Sequence, residues 1–289
     1  MLLVDIADHH LGRLSWGAET GDSYDIKIAV KRFTDCVAFF YDEVQHIMKK
    51  HSIAKIVFVL GNDYFNYDYP KPYPMTANQT HQESDLRYQK MFTIGSGLVT
   101  GQIEKLSELA PVEVYIVPGN HDEFTSFFLG ELLLARFHNN ENITIQNSPK
   151  KRKYIKFGKN LLGFGHHQFE TFERMFANMS LEEQELWGGS RHKYFYTGHK
   201  HHKEVFARMI QNKTITTFVD SGTPKRPVLI TEDLNGVLFD RMASLTSNDY
   251  YEASRGYIHM KGAESHLFHK EFGKRISLNY QLPLSIHSK

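Results

Sequence analysis

Histidine is the residue type that stands out in this chain, at 17 of 289 positions, and it falls in clusters. Asp8-His9-His10 opens the series. His121 stands in Gly119-Asn120-His121-Asp122, His166 and His167 are adjacent, and Gly198-His199-Lys200-His201-His202 closes it. Gly61-Asn62-Asp63 contributes a carboxylate in a similar setting. Imidazole, carboxylate and amide donors without a thiolate suit divalent cations such as Mn²⁺, Fe or Zn²⁺. In Asp8-x-His10 and His199-x-His201, alternation on extended backbone predicts that both members of each pair face one site. Glycine ahead of each later cluster lets the chain turn sharply and approach an ion without a Cβ.

Each cluster follows a predicted strand. Residues 2–7, 54–60, 112–117, 161–164 and 194–196 read as short apolar runs, with further strands at 143–145 and 154–157. Between them, Ile26, Val30, Phe33, Val37, Phe40, Val44 and Ile47 recur at helical spacing, and 85–109 and 124–138 read as further helices. Ser180 with Glu183 three residues on has capping-box spacing and predicts a helix over 180–187. Residues 64–82 are aromatic and aperiodic, a long loop of the kind that is more often functional than idle. Strands dominate beyond 205, with turns at Asn235-Gly236 and Phe272-Gly273. The expected fold is α/β, a mixed sandwich with helices outside, in which strand carboxyl ends converge on one crevice. Residues 1–240 are expected to form the catalytic domain, with 241–289 as an extension or its closing strands.

Composition removes several classes. With 34 basic against 33 acidic residues, 20 glycines and 9 prolines, the chain is neither collagen-like nor a charge-driven disordered segment. A net charge of +1 offers no general attraction to nucleic acid or anionic membranes. The run Lys150-Lys151-Arg152-Lys153 is the one tight basic patch, read as a solvated hairpin turn or, if it faces the cleft, a phosphate contact; Lys225-Arg226 is a weaker one. No signal peptide and no uninterrupted apolar run of spanning length is visible, which predicts a soluble cytoplasmic protein with no membrane partner. The single cysteine, Cys36, lies in the apolar pattern of the first long helix and is expected to be buried.

Taken in order, Asp-x-His, Gly-(Asn)-Asp, Gly-Asn-His-Asp, a His behind a strand and Gly-His-x-His resemble the calcineurin-like metallophosphoesterases, over residues 8 to 201. The tract 76–87 together with Gly61-Asn62-Asp63-Tyr64-Phe65 further resembles a phage-encoded, DNA-repair-exonuclease-like subgroup, which would act in the host cytoplasm. The resemblance implies a β-sandwich flanked by helices in four α/β/β/α layers. It implies two divalent metals, Mn²⁺ first with Fe, Zn²⁺ or Mg²⁺ as alternatives. Asp8, His10 and His201 would hold one ion, Asn120, His166 and His199 the other, with Asp63 bridging. His121 would face the substrate as proton donor, paired with Asp8 or Asp63, while a hydroxide shared by the metals attacks phosphorus. Two departures stand out: the carboxylate of Gly61-Asn62-Asp63 comes one residue late, and the lone His is doubled, with His166 preferred over His167 because it directly follows strand and glycine.

The expected activity is hydrolysis of nucleic-acid phosphodiesters. The alternatives are a phosphatase or phosphodiesterase acting on a small nucleotide, and a metal-binding interaction module without catalysis. Tyr64, Asn78, Arg87 and His167 are the candidate substrate contacts. Tyr64, Phe65, Tyr67, Tyr69 and Tyr73 serve either base stacking or loop packing. Ser84 and Asp85 serve as well to cap the following helix. His9 and His202 are expected behind the ligands or at the surface. Asp220-Ser221-Gly222-Thr223 and Arg255-Gly256-Tyr257 have the composition of a cleft rim.

Overall fold

Four parallel strands begin the fold, three of them buried on both faces as covered strands are and the fourth, at the sheet edge, buried on one face only. In the computed structural model, which describes residues 1–201, 203–208, 236–256 and 260–282, these are β1 (Leu2–Asp5), β2 (Ile56–Gly61), β3 (Val112–Val117) and β4 (Ile143–Gln146). Helices α1 (Gly17–Thr20), α2 (Ile26–Met48), α3 (Tyr88–Ser107) and α4 (Glu123–Phe137) lie between them in the chain. A second sheet follows with β5 (Arg152–Phe157), β6 (Asn160–Gly165), α5 (Phe172–Glu182), α6 (Gln184–Gly188), β7 (His192–Thr197), β8 (Glu204–Arg208) and β9 (Val237–Arg241). The chain then returns through α7 (Tyr250–Ser254) to β10 (Gly262–His269) and β11 (Gly273–Gln281). The sheet orders are β11-β10-β1-β2-β3-β4 and β5-β6-β7-β9-β8, and β10 pairs antiparallel with β1.

Strand alternation explains the layering. Leu2, Val4, Phe58, Val114 and Ile116 face outward onto α2, α3 and α4, while Leu3, Val57, Val59 and Val117 face inward onto Leu162, Phe164 and Tyr196 of the second sheet. Leu161, Phe195 and Phe239 then meet Met175 and Met179 of α5 on the far side. These are the expected four layers, two sheets packed face to face with helices outside. Along α2, Asp25 accepts from the Ile28 N–H as N-cap, and Phe33, Cys36, Val37, Phe40 and Val44 are buried. Each large apolar side chain so covered stabilises the fold by roughly 1.5–3 kcal/mol.

The helix read over 180–187 is a correction. The chain is already helical from Phe172, capped by Thr171, whose side chain accepts from the Arg174 N–H; Ser180 lies inside α5, and α6 follows from Gln184. The buried pair Met175 and Met179, one turn apart, fixes the true start. The Phe272-Gly273 turn is present, with Gly273 at φ 75° joining β10 to β11. Asn235, His202, Asp220-Ser221-Gly222-Thr223, Lys225-Arg226 and Tyr257 lie outside the described residues. Among the described residues no helix is long and apolar enough to cross a membrane.

Candidate metal centre

The carboxyl ends of β1, β2, β3, β6 and β7 open at one end of the two sheets, and the polar clusters sit just past them. Three sets of metal-ligating atoms each lie within 4.8 Å of one another: Asp8, His10 and His201; His10, Asp63 and His121; and Asp63, His166 and His199. Asp8, His10 and Asp63 are at most 1% exposed. His10 Nε2 lies 3.0 Å from His201 Nε2, and Asp8 Oδ1 lies 3.8 Å from the same His201 atom. Both Asp8 oxygens accept from the His199 backbone N–H, at 2.9 and 2.7 Å. On the other side, His166 Nε2 lies 2.9 Å from Asp63 Oδ2, 2.7 Å from Asn120 Oδ1 and 3.1 Å from His199 Nδ1. Asn120 Oδ1 is in turn 3.1 Å from His199 Nδ1.

This donor set fits divalent cations. His166 Nδ1–H donates to Asn62 Oδ1 at 2.6 Å, which leaves Nε2, facing a carboxylate, an amide oxygen and a second imidazole, to take up either a proton or a cation. Acceptors facing acceptors in a buried space call for a positive charge between them. The electrostatics agree. Burial opposes the His166 imidazolium, yet Asp63, Asp8 and Asp122 push it up to about 9, so a proton is held where positive charge is wanted. Burial, followed by the His166 charge, lowers its neighbour His199 to about 3. Burial also opposes ionisation of Asp63, but His166 and His121 hold its carboxyl well below the usual range.

The backbone is not extended at the paired ligands, which corrects the alternation argument. Asp8, His10, His199 and His201 have φ of 52°, 48°, 77° and 55°, all left-handed. Asn62 and Asp63 are left-handed as well, at 52° and 64°. Each such non-glycine residue costs on the order of 1–3 kcal/mol, and such strain collects at functional sites. Close approach also explains two of the glycines. A Cβ on Gly119 would run into Asp63, and one on Gly198 would lie 2.6 Å from Asp8 Oδ2 and 2.8 Å from Asn62 Oδ1. Gly165 is different, since its Cβ would meet nothing closer than 3.4 Å.

His121 joins the cluster from its edge. Its backbone N–H donates to Asp63 Oδ1 at 2.7 Å, but its ring Nδ1 bonds the Asn66 carbonyl at 2.8 Å. The ring is therefore oriented by a backbone oxygen and not by the carboxylate of Asp8 or Asp63. Burial lowers its pKa against the pull of Asp63.

Of the two adjacent histidines only His166 is in the cluster. The His167 ring packs on Phe172 at 4.7 Å with Nδ1 3.4 Å from Arg241, which turns it away from the other ligands. Tyr64 is a correction. Its side chain is fully buried, stacks on His9, meets Phe33 edge-on and donates its hydroxyl to the Gly95 carbonyl at 3.0 Å, so it presents no surface to a substrate. Phe65 and Tyr67 are likewise core residues, whereas Tyr69, Tyr73 and Phe124 are exposed. Asn78 is exposed in the 76–80 turn, whose Ala77 N–H donates to the Asn120 carbonyl at 3.1 Å, and Arg87 is exposed as the N-cap of α3. Asp85 caps another helix than the one expected, accepting from the Ile26 N–H at the start of α2. His9 is buried against Tyr24, Phe33 and Tyr64 and is not a surface group.

Two of the four residues of the basic run are paired, Lys151 with Glu123 and Arg152 with Glu170 and Glu182, while Lys153 donates to Ser148 and the Lys150 carbonyl and Lys150 is exposed. Sequence reasoning missed the residues that hold the ligands. Asn62 and Asn66 bond His166 and His121, Ser244 Oγ donates to the Asp8 carbonyl at 2.6 Å, and Glu252 bonds His201. A separate buried group, Asp240, Glu264 and His266, also has ligand atoms within 4.8 Å, but Lys203 Nζ bonds both carboxylates and serves as its cation.

No protein-family model matches this chain, and no curated protein matches it. Among solved structures, a 5'-nucleotidase precursor from Thermus thermophilus is similar at 11% identity with a TM-score of 0.37. The likeness covers 98% of this chain and 54% of that one, so this chain spans about half the length of that protein. At that identity and TM-score the likeness assigns neither activity nor substrate.

Proposed function

We propose that the chain is a metal-dependent phosphoesterase whose first substrate class is the phosphodiester of nucleic acid. The observation that carries this reading is the convergence of the Asp8, His10, Asp63, Asn120, His166, His199 and His201 side chains, drawn from five strand ends, with lone pairs facing one another. Divalent ions held by Asp8, His10 and His201 on one side, by Asn120, His166 and His199 on the other, and by Asp63 between them would polarise a phosphoryl oxygen and acidify bound water.

The chain's own groups do the rest. Asp63 is held by the His121 N–H and lies against Gly119, where only glycine leaves room for its carboxylate. His121 commits Nδ1–H to Asn66, so it can hand a proton from Nε2 to the departing oxygen only as the imidazolium, with both ring nitrogens protonated, an assistance worth about 10²–10⁴-fold. Tyr69 and Phe124, 6.1 Å apart, form an exposed aromatic pair suited to a nucleobase; Asp68 ties their two segments together through the Phe124 and Thr125 N–H groups. A small nucleotide is the second reading, favoured by the pairing of Lys151 and Arg152 with glutamates, which lowers the charge that this run offers to a long backbone.

Hydrolysis with Mn²⁺ tests both, using single- and double-stranded DNA, RNA, mononucleotides, bis-p-nitrophenyl phosphate and p-nitrophenyl phosphate, with Asp63→Ala as control. Polymer cleavage that vanishes in the control establishes the first reading. Turnover limited to mononucleotides or small esters establishes the second. Two bound ions with no turnover on any substrate would make the chain a metal-binding module instead.

A further inference from the structure

The two halves of the cluster are supported by different chemistry. His166 gives its Nδ1–H to a neutral amide, Asn62 Oδ1. His201 gives its Nδ1–H to a carboxylate, Glu252 Oε1, at 3.1 Å. Glu252 belongs to α7, well beyond the clusters that carry the resemblance, and it is held from three directions. Its backbone N–H donates to Asp249 Oδ1 at 2.8 Å, and its Oε2 accepts from the Asp249 N–H at 3.0 Å, a complete capping box. The same Oε2 accepts from Arg13 Nη1 at 3.0 Å.

Arg13 is 2% exposed, lies three residues past His10, and also donates to the Ser247 carbonyl at 3.0 Å. Arg13 and Glu252 thus lock the loop after β1, the loop after β7 and the segment before β10 to one another. Glu252 Oε1 is turned to His201, whose Nε2 is aimed at His10 Nε2 and Asp8. A carboxylate on the far nitrogen of a ligating imidazole fixes its tautomer and strengthens its lone pair more than an amide does.

We propose that Glu252 is a positioning residue for His201 and makes the position formed by Asp8, His10 and His201 the tighter of two unequal metal positions. The inference rests on the two-metal reading above and deepens it: the ion at Asp63, Asn120, His166 and His199 is the one released first. Removing such an outer partner typically weakens metal binding by about 10–100-fold.

Calorimetric titration of the metal-stripped full chain with Mn²⁺ tests this, alongside thermal unfolding of each variant. Glu252→Gln should weaken the tighter of two constants by about 10–100-fold and move the weaker by less than about threefold. Glu252→Asp, which keeps the charge but shortens the reach, should fall between wild type and Glu252→Gln and carries the test if the amide variant does not fold. Asp249→Asn keeps a capping oxygen for the Glu252 N–H and removes only the 3.8 Å ion pair between Asp249 Oδ2 and Arg13 Nη2, without touching His201, and should leave both constants in place. Loss of both constants together in Glu252→Gln, no loss in either, or the same loss in Asp249→Asn overturns the positioning role while the two-metal reading stands. A wild-type chain that binds fewer than two ions overturns both.

Discussion

Asn62 Oδ1 accepts from His166 Nδ1 at 2.6 Å, and this one bond joins the end of β2 in the first sheet to the end of β6 in the second. It gives the extra residue of Gly61-Asn62-Asp63 a purpose. Asn62 and Asp63 are both left-handed and grip the same ring from its two nitrogens, Asn62 at Nδ1 and Asp63 at Nε2. The residue that delays the carboxylate therefore orients its imidazole neighbour. Asn62→Ala should leave the fold in place and weaken one of two metal affinities by about tenfold or more, read by Mn²⁺ titration. An unchanged affinity would show that His166 needs no outer partner.

The doubled histidine makes a paired prediction. His166→Ala removes three short contacts in the cluster and should lower bound metal below that of the wild type. His167→Ala removes a ring packed on Phe172 near Arg241, and should cost about 1–2 kcal/mol of stability with metal content intact. Metal analysis of the two purified variants separates them, and metal loss in His167→Ala alone would reverse the assignment.

Glycines make a second pair. A methyl at Gly198 would press on Asp8 Oδ2 and Asn62 Oδ1 at 2.6 and 2.8 Å, both immobile parts of the cluster, whereas one at Gly165 has room at 3.4 Å. Gly198→Ala should abolish metal binding or weaken it severely, at a stability cost of about 1–3 kcal/mol. Gly165→Ala should behave as wild type in both metal titration and thermal unfolding. Equal behaviour of the two variants would mean that the Gly198 loop has slack the geometry denies.

Asp5 supplies a pH dependence outside the cluster. Both of its oxygens are buried without a hydrogen-bond partner among the described residues, and Glu264 lies opposite it in the strand register. Burial first, then Asp240 and Asp8, push its carboxyl up to about 8 against the pull of Lys203. The unfolded chain releases this proton near 3.8 and the folded chain keeps it to about 8, so the folded state loses stability as pH rises between those values. Asp5→Asn should raise Tm by at least about 3 °C at pH 8 and leave it nearly unchanged at pH 4. Parallel Tm curves for wild type and variant across that range would remove Asp5 as the source.

What was legible in the sequence is what is local. Each cluster announces itself as an apolar strand, a turn and a polar run, and Asp8, His10, Asp63, Asn120, His166, His199 and His201 do gather in space as that pattern implies. The α2 face was equally plain, because Phe33, Val37, Phe40 and Val44 repeat within one helix. Partners brought from far along the chain leave no such trace: nothing near Glu252 announces that it will meet His201, or near Arg13 that it will meet Glu252. The left-handed backbone at Asp8 and His10 was also hidden, since Asp and His adopt that conformation more often than most residues but far less regularly than glycine. Tyr64 misled for another reason. An aperiodic aromatic loop does not reveal which of its rings turn inward, and Tyr64, Phe65 and Tyr67 all do. Helix α5 carries its own signal, since Phe172, Met175, Phe176 and Met179 are spaced i, i+3, i+4 and i+7, but the capping-box spacing at Ser180 competes with it and points to a later turn.

The assignment of His121 is the sharpest remaining test, because it separates holding metal from moving a proton. Its ring touches the cluster only from the edge, 4.5 Å from the His10 ring, and its Nδ1 is committed to the Asn66 carbonyl. Deleting the ring therefore leaves Asp8, His10, Asp63 and His201 with their other contacts. His121→Ala should keep the metal content of the wild type while turnover of a nucleic-acid or nucleotide ester falls by about 10²–10⁴-fold. The loss should shrink on bis-p-nitrophenyl phosphate, whose departing phenolate leaves without a proton, and that contrast is what a merely structural role cannot produce. Asp63→Ala should lose both metal and turnover on every substrate, because it removes the carboxylate shared by the two halves. Full turnover in His121→Ala on the poorer leaving group would sink the proton-donor role, and equal losses on both esters would reduce His121 to a support for Asp63.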